Sequence, residues 1–382
     1  MSGRSVTASA RTVESPATVR RRRPRLVPTM QRGVALAGGL FLFVGALQLM
    51  KTGAGALGVL QPGSVLVENA LSTLGLGWLG ALILLSGSPV AATSLALVAA
   101  GEESGGTRGL SELEGFTMLT GSRLGAAFVV LVVAVIYAAR AAEGHRRAPV
   151  STAVLALTAT AVVYLPAAVL GALLLTWEPY AGLELGFPAG FIDLIDFVYG
   201  DIVEWAKELP AFVTFLAGIG VLLLAFKLID TALPDLDEDR VARRPAWLRR
   251  KWPMFALGSA VALVTMSVSV ALTVLVPLVA KKMVRQEYVL PYIMGANITT
   301  LGDTMLAAFA LDSPAAVRVV LAEVIAAGSL SILLLALAYP TVWSALWGMQ
   351  TAITRSRTRL AVFTLGVLLL PVLTIALAAV IG

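Results

Sequence analysis

Residues 249–285 read RRKWPMFALGSAVALVTMSVSVALTVLVPLVAKKMVR. The apolar run inside this stretch is long enough to cross a hydrocarbon core about 30 Å thick once. Yet Arg249, Arg250 and Lys251 precede it, and Lys281, Lys282 and Arg285 follow it. Basic residues near span ends are held on the cytoplasmic side, so both flanks should face one compartment. The stretch is expected to enter and return as a re-entrant hairpin of two half-helices. Each would have about 11–13 residues, too few to cross at 1.5 Å per residue. Its small polar centre, Ser267-Val268-Ser269, suits such a turn, because non-helical backbone at membrane depth needs protein or water partners. One ordinary helix with small packing residues is the competing reading. Residues 74–100 have the same character around Ser86-Gly87-Ser88-Pro89.

The composition agrees. Of 382 residues, 58% are hydrophobic and 14% charged, with mean hydropathy +0.87. Soluble domains carry about 45–50% apolar and about 25% charged residues. A water-soluble enzyme, a disordered chain and a collagen-like fibre are excluded; an all-α polytopic membrane protein remains. With no Cys and a single His, His145, disulfides, thiolate nucleophiles and Cys/His metal clusters are excluded. The sequence has no paired carboxylates at helical spacing in a span, no Ser–His constellation and no nucleotide-binding loop. It is therefore not expected to be an enzyme, to carry a cofactor or to hydrolyse ATP.

Charge sets the path of the chain. Of 29 Lys and Arg, eight lie in 1–32, three in 140–147, six in 234–253, three in 281–286 and three in 350–359. They flank apolar runs as topology determinants do, so the expected surroundings are membrane lipids and no nucleic acid. Placing all five stretches in the cytoplasm gives seven crossings. Gly33–Gly53 runs outward, roughly 115–141 inward, Val150–Thr176 outward and Leu209–Thr231 inward. Residues 288–310 then run outward, 315–339 inward and 360–381 outward. The loop 177–208, with seven acids and one base, falls outside. The N-terminus is then cytoplasmic and the C-terminus external, in a multi-pass cell membrane protein.

The order span, hairpin, interrupted span occurs twice. Gly39, Ala46, Leu49 and Thr52 match Gly218, Ala225, Leu228 and Thr231, and Ser86 stands where Met266 stands later. Gly121-Ser122-Arg123-Leu124-Gly125 corresponds to Gly295-Ala296-Asn297-Ile298-Thr299. By the charge pattern the two copies start on opposite sides. That is an inverted-topology repeat with two re-entrant hairpins and two interrupted transmembrane helices, an architecture of secondary transporters. The expected parts are a disordered basic N-terminus (1–32), a first repeat (33–141), and a connecting span with an external amphipathic helix (142–208). A second repeat (209–310) and C-terminal transmembrane helices (311–382) follow.

Half-helix N-termini present unpaired N–H groups and positive dipole ends, which suit an anion near mid-membrane. Hydroxyl and amide side chains there can bind an anion or a cation. The candidates are Ser86, Ser88, Thr93, Ser267, Ser269 and Thr273 in the hairpins, with Thr120, Ser122, Asn297, Thr299, Thr300 and Thr304 in the interrupted spans. Helix packing or back-bonding is the alternative role for each. Arg123 and Asp303 join the set because an ionisable residue inside a span is costly. Arg123 could bind the anion in a bidentate fashion. Alternatively it pairs with Asp303 in a contact that opens during transport, or Asp303 carries a coupling proton, or the two form a static ion pair.

Gly295-Ala296-Asn297-Ile298-Thr299-Thr300, with Ala307-Ala308 beyond it and Thr273, Pro277, Leu278 and Val279 before it, resembles the second repeat of the type II sodium–phosphate cotransporter family. Ser86-Gly87-Ser88 and Gly121–Gly125 look like altered first-repeat copies, and Gly39–Phe43 with Met50 is similar to the family's opening helix. The resemblance covers roughly residues 33–325. It implies sodium-coupled uptake of inorganic phosphate, with sodium as the coupling ion. The family's motif glutamines are Ser86 and Met266 here, Pro89 and Val268 interrupt the serine runs, Arg123 replaces an Asn and Asp303 a Thr. These departures leave another small anion, a proton as coupling ion, or a non-transporting scaffold as alternatives. A homodimer is compatible with this reading.

Two peripheral features complete it. Residues 190–208 place Asp193, Asp196, Glu204 and Glu208 on one face and Ile192, Ile195, Tyr199, Ile202 and Trp205 on another, an interfacial amphipathic helix. Trp177 and Tyr180 are expected as headgroup anchors.

Overall fold

The computed structural model describes residues 29–53, 64–140, 147–183, 189–232, 250–280, 284–299 and 301–381. The basic run Arg20–Arg25, the acidic run Asp235–Asp239 and Thr300 lie outside them. Among the described residues there are helices and no β-strand. Among the described residues six helices are long and apolar enough to cross a membrane, and their outward faces carry exposed Val34, Phe41, Val169, Leu173, Val362 and Leu373. A soluble surface does not sustain an apolar area of that extent; the chain is a multi-pass membrane protein.

Helix α1 (Thr29–Gly53) packs against α9 (Ala211–Ala232) in the antiparallel sense. A Cβ on Gly39 would meet Ile229 at 2.7 Å, and one on Gly53 would meet the Phe215 backbone at 2.5 Å. Between them lie α2 (Ala70–Leu84), α3 (Ser88–Glu103), α4 (Glu112–Ala126), α5 (Phe128–Arg140) and α6 (Arg147–Leu175). A single turn, α7 (Glu178–Ala181), and α8 (Ala189–Lys207) follow. After α9 come α10 (Lys251–Thr265), α11 (Val268–Ala280), α12 (Val289–Thr299), α13 (Leu301–Ala310) and α14 (Pro314–Leu337). The chain ends in α15 (Tyr339–Thr354) and α16 (Arg357–Ile381).

Both long apolar stretches break where the small polar residues lie. The first ends at Leu85 in the left-handed region (φ 52°), and Pro89 opens α3. Proline suits a first helical turn, where its missing N–H would have no partner. The second ends at Met266, also left-handed (φ 45°). A branched or long side chain in that region costs roughly 1–2 kcal/mol, so packing holds both turns. The helices on either side have 15, 16, 15 and 13 residues; three are longer than the half-helices expected, the fourth matches them, and all are short of a crossing.

Each pair folds back along a neighbour. Thr73 of α2 meets Thr117 of α4 at 2.7 Å, Ser94 of α3 donates to the Gly115 carbonyl at 2.7 Å, and Gly87 at the turn abuts Ser122 and Ala126. The α2–α3 turn therefore points along α4 toward its end. In the other pair α12 does the same work: Tyr292 lies against Gly258 of α10 and its hydroxyl donates to the Ala271 carbonyl of α11 at 3.0 Å.

Glycines set these crossings. A Cβ on Gly77 would lie 2.0 Å from the Met118 oxygen and one on Gly121 2.1 Å from the Leu74 oxygen. On the other pair, Gly258 faces the Tyr292 oxygen and Gly295 the Phe255 oxygen, each at 2.1 Å. Small residues are what allow backbones this close in lipid. Gly121–Gly125 is thus continuous helix, not the interruption expected from sequence; that break falls at Ala127. The predicted crossing 288–310 is helical on either side of residue 300, over Val289–Thr299 and Leu301–Ala310.

Three other expectations change. Residues 339–354 form α15, which runs across one end of the bundle: Tyr339 donates to the Glu287 carbonyl, while Gln350 accepts from Ser151. On α8, Ile195 and Tyr199 are buried but Ile202 and Trp205 are exposed, so the apolar face divides between protein and surroundings. Tyr180 is buried, with its hydroxyl on the Arg318 carbonyl, and is not a surface anchor; Trp177 is exposed.

Candidate functional site

The apolar core forms two clusters, one above the other along the bundle. Phe116 and Leu119 of α4, Ala307 and Ala308 of α13, and Val319 and Ala322 of α14 belong to the first. Leu124 of α4, Ala296 of α12 and Ala326 of α14 belong to the second. Arg123, Asp303 and Glu323 fall between those residues on each helix. All three are buried, at 3%, 6% and 0% exposure. The seam between the two halves of the core is charged.

Asp303 sits in the first turn of α13. Its Oδ2 accepts from Ser88 Oγ at 2.7 Å, and its Oδ1 accepts from the Thr304 N–H at 2.7 Å and from Thr304 Oγ1 at 3.0 Å. Ser88 is the first residue of α3, so Asp303 lies at the opening of that helix beside the α2–α3 turn. Thr304 Oγ1 also accepts from Arg123 Nη2 at 2.5 Å. Arg123 and Asp303 are therefore coupled through a hydroxyl. Arg123 Nε is buried without a hydrogen-bond partner. Its charge acts on Asp303, on Glu323 and on the Tyr164 phenol of α6.

Glu323 is the residue sequence reading missed. It lies midway along α14, with Oε2 2.7 Å from Thr120 Oγ1; the same hydroxyl is 2.9 Å from the Phe116 carbonyl. Glu323 Oε1 has no hydrogen-bond partner. A lone carboxylate in a 24-residue apolar helix was the available signal.

The remaining candidates divide. Thr120 joins the cluster through Glu323. Asn297 is buried and held by α6: its Nδ2 donates to Thr160 Oγ1 at 3.0 Å, and its carbonyl accepts from the Tyr164 hydroxyl at 2.9 Å. Thr93, Ser122 and Thr299 donate to carbonyls of their own helices, at Pro89, Leu119 and Gly295, the back-bonding role. Thr273 does the same to Val270, and Ser267 Oγ accepts from the Val270 N–H at the start of α11. Ser86 is half-buried in the α2–α3 turn. Ser269 and Thr300 bear side chains outside the described set. The structure thus gathers Ser88, Arg123 and Asp303 with Thr304, Thr120 and Glu323, and leaves the others as packing and capping groups.

An apolar cavity of about 450 Å³ is lined by Phe41, Phe226 and Met266 and includes Asp303 of the cluster in its wall. Met266, the left-handed residue between α10 and α11, lines the same cavity. Compared with family models, with curated proteins and with solved structures, the chain gives no match.

Proposed function

We propose that the chain is a secondary active transporter for a small anion, with inorganic phosphate the substrate implied by the sequence resemblance and sodium the coupling ion. The observation that carries this reading is the meeting of the α2–α3 turn, the first turn of α13 and Arg123 of α4 at one buried charged cluster. Broken helices around a polar midpoint are the common plan of such proteins.

The repeat belongs to the same proposal. In it, α2–α3 and α10–α11 are re-entrant hairpins that enter from opposite faces of a cell membrane, with the N-terminus cytoplasmic and the C-terminus external. Two sets of end contacts support this. Lys51 pairs with Glu103 at 2.7 Å and Ser313 donates to Glu102 at 2.5 Å, which groups the ends of α1 and α3 with the start of α14. Lys251 donates to the Leu335 carbonyl at 2.8 Å and Gln286 to Ser151 at 3.4 Å, which groups the starts of α10 and α6 with the end of α14.

Arg123, Ser88 and Thr304 would hold the anion, the guanidinium supplying charge where no sodium is needed to do so. In the present arrangement Asp303 already occupies the Ser88 and Thr304 donors, so substrate and Asp303 compete for them. That competition favours a second reading, in which protons replace sodium as the coupling ion. Labelled phosphate uptake into proteoliposomes, under a sodium gradient or a proton gradient, separates the two. Uptake under neither, for phosphate or any other small anion, would reduce the protein to a scaffold.

A further inference from the structure

Thr120 has one hydroxyl hydrogen and two acceptors in range: the Phe116 carbonyl at 2.9 Å and Glu323 Oε2 at 2.7 Å. Both contacts are full two-centre hydrogen bonds, rather than one hydrogen shared between two acceptors, only if Glu323 supplies the second hydrogen. Glu323 Oε2–H then donates to Thr120 Oγ1, and Thr120 donates to Phe116. With Glu323 ionised, a single hydrogen would be divided between two acceptors in a dry interior, leaving a buried charge weakly served.

The neighbours point the same way. Two carboxylates and one guanidinium occupy the seam, which leaves one negative charge in excess if both acids are ionised. Asp303 has three donors and Arg123 coupled through Thr304; donors to a carboxylate favour its charged form. Glu323 has one hydroxyl and a second oxygen without any partner. The charged and titratable groups facing it are Arg123 from α4 and Tyr164 from α6. A sodium ion is a poorer occupant, since hard cations take several oxygen ligands and Thr120 is the one hydroxyl the geometry gives Glu323.

We propose that Glu323 is a proton-binding site, neutral while Arg123 is engaged with Thr304 and Asp303. When Arg123 turns its unpartnered Nε–H toward Glu323 Oε1, the carboxylic acid releases its proton to water and becomes the ion partner of the guanidinium. No other bond is made or broken. That this proton travels with the substrate rests on the transport reading above; its presence in the folded protein does not.

Infrared spectroscopy of the whole purified chain at neutral pH tests the site. A carbonyl stretch of a protonated carboxylic acid is expected, shifted when glutamate is labelled with ¹³C, absent in Glu323→Gln and retained in Asp303→Asn. If a variant fails to fold, the labelled unsubstituted chain still assigns the band to a glutamate, and Glu323 is the one glutamate buried among the described residues. No such band, or a band indifferent to glutamate labelling, overturns the proposal. A band present in a protein that moves no anion in proteoliposomes upholds the proton site and removes the transport reading instead.

Discussion

Arg123 and Asp303, in different halves of the chain, are coupled through the hydroxyl of Thr304, which accepts from the guanidinium and donates to the carboxylate at 3.0 Å. Each charge is buried, and each depends on a group that a methyl could replace. Thr304→Val removes that bridge and leaves the guanidinium with one acceptor fewer. Hydrogen bonds to charged groups contribute about 1.5–3 kcal/mol, and a loss of that size is expected in denaturant titration in detergent, with Thr304→Ser close to the parent. A Val variant as stable as the parent would show that Arg123 has other support.

The coupling of Arg123 to Asp303 is measurable by itself. Arg123→Gln and Asp303→Asn should each destabilise the bundle, because each leaves an unbalanced buried charge. The double variant should be less damaged than the sum, with an interaction energy of about 0.5–3 kcal/mol. Additive losses would mean that the hydroxyl bridge carries no coupling. In transport assays, a fully active double variant would favour a structural role for both.

Helix crossings predict an asymmetry among glycines. Gly121→Ala and Gly295→Ala must push α2 from α4 and α10 from α12, since each Cβ would lie 2.1 Å from a carbonyl oxygen. Overpacking of this kind costs about 1–3 kcal/mol. Gly302→Ala meets nothing within 4 Å and should be neutral or stabilising by up to about 1 kcal/mol. Thermal unfolding of the three variants checks the order, and equal effects would contradict it.

Much of this was legible in the sequence. Basic flanks of equal sign marked residues 254–280 as a stretch that turns back, and the helix does break at Met266 and Ser267, the small polar centre. Pro89 marked the other turn. What could not be read was which polar side chains meet. Ser88 and Asp303 are ordinary residues of separate helices until the fold brings them to 2.7 Å. Ser122, Thr93 and Thr299 have the same chemistry but turn back on their own helices, and no local pattern distinguishes the two fates. Glu323 belongs to no motif or repeat, so its isolation as a carboxylate in a largely apolar helix was its one mark in the sequence. The glycine-rich motif misled for a physical reason: Gly121 and Gly125 can either break a helix or let another approach it, and here they do the second.

At the end of the bundle, the Tyr339 phenol donates to the Glu287 carbonyl, and burial first, then Glu287 and Tyr288, pushes its pKa up to about 12. Its ordinary value is about 10. A folded-state value above the unfolded one means the contribution is complete below pH 10 and is lost as pH rises through about 12. Stability in detergent should fall across that window, and Tyr339→Phe should lose part of that fall. An identical pH profile for the variant would place the phenol in contact with water.

The opposed orientation proposed for α2–α3 and α10–α11 is tested most directly by cysteine accessibility. The chain contains no cysteine, so single substitutions at Glu103, beyond α3, and at Arg285, beyond α11, report without interference. In intact cells a membrane-impermeant thiol reagent should modify Glu103→Cys at once and Arg285→Cys only after the membrane is opened. Modification of both from the same side would contradict the account.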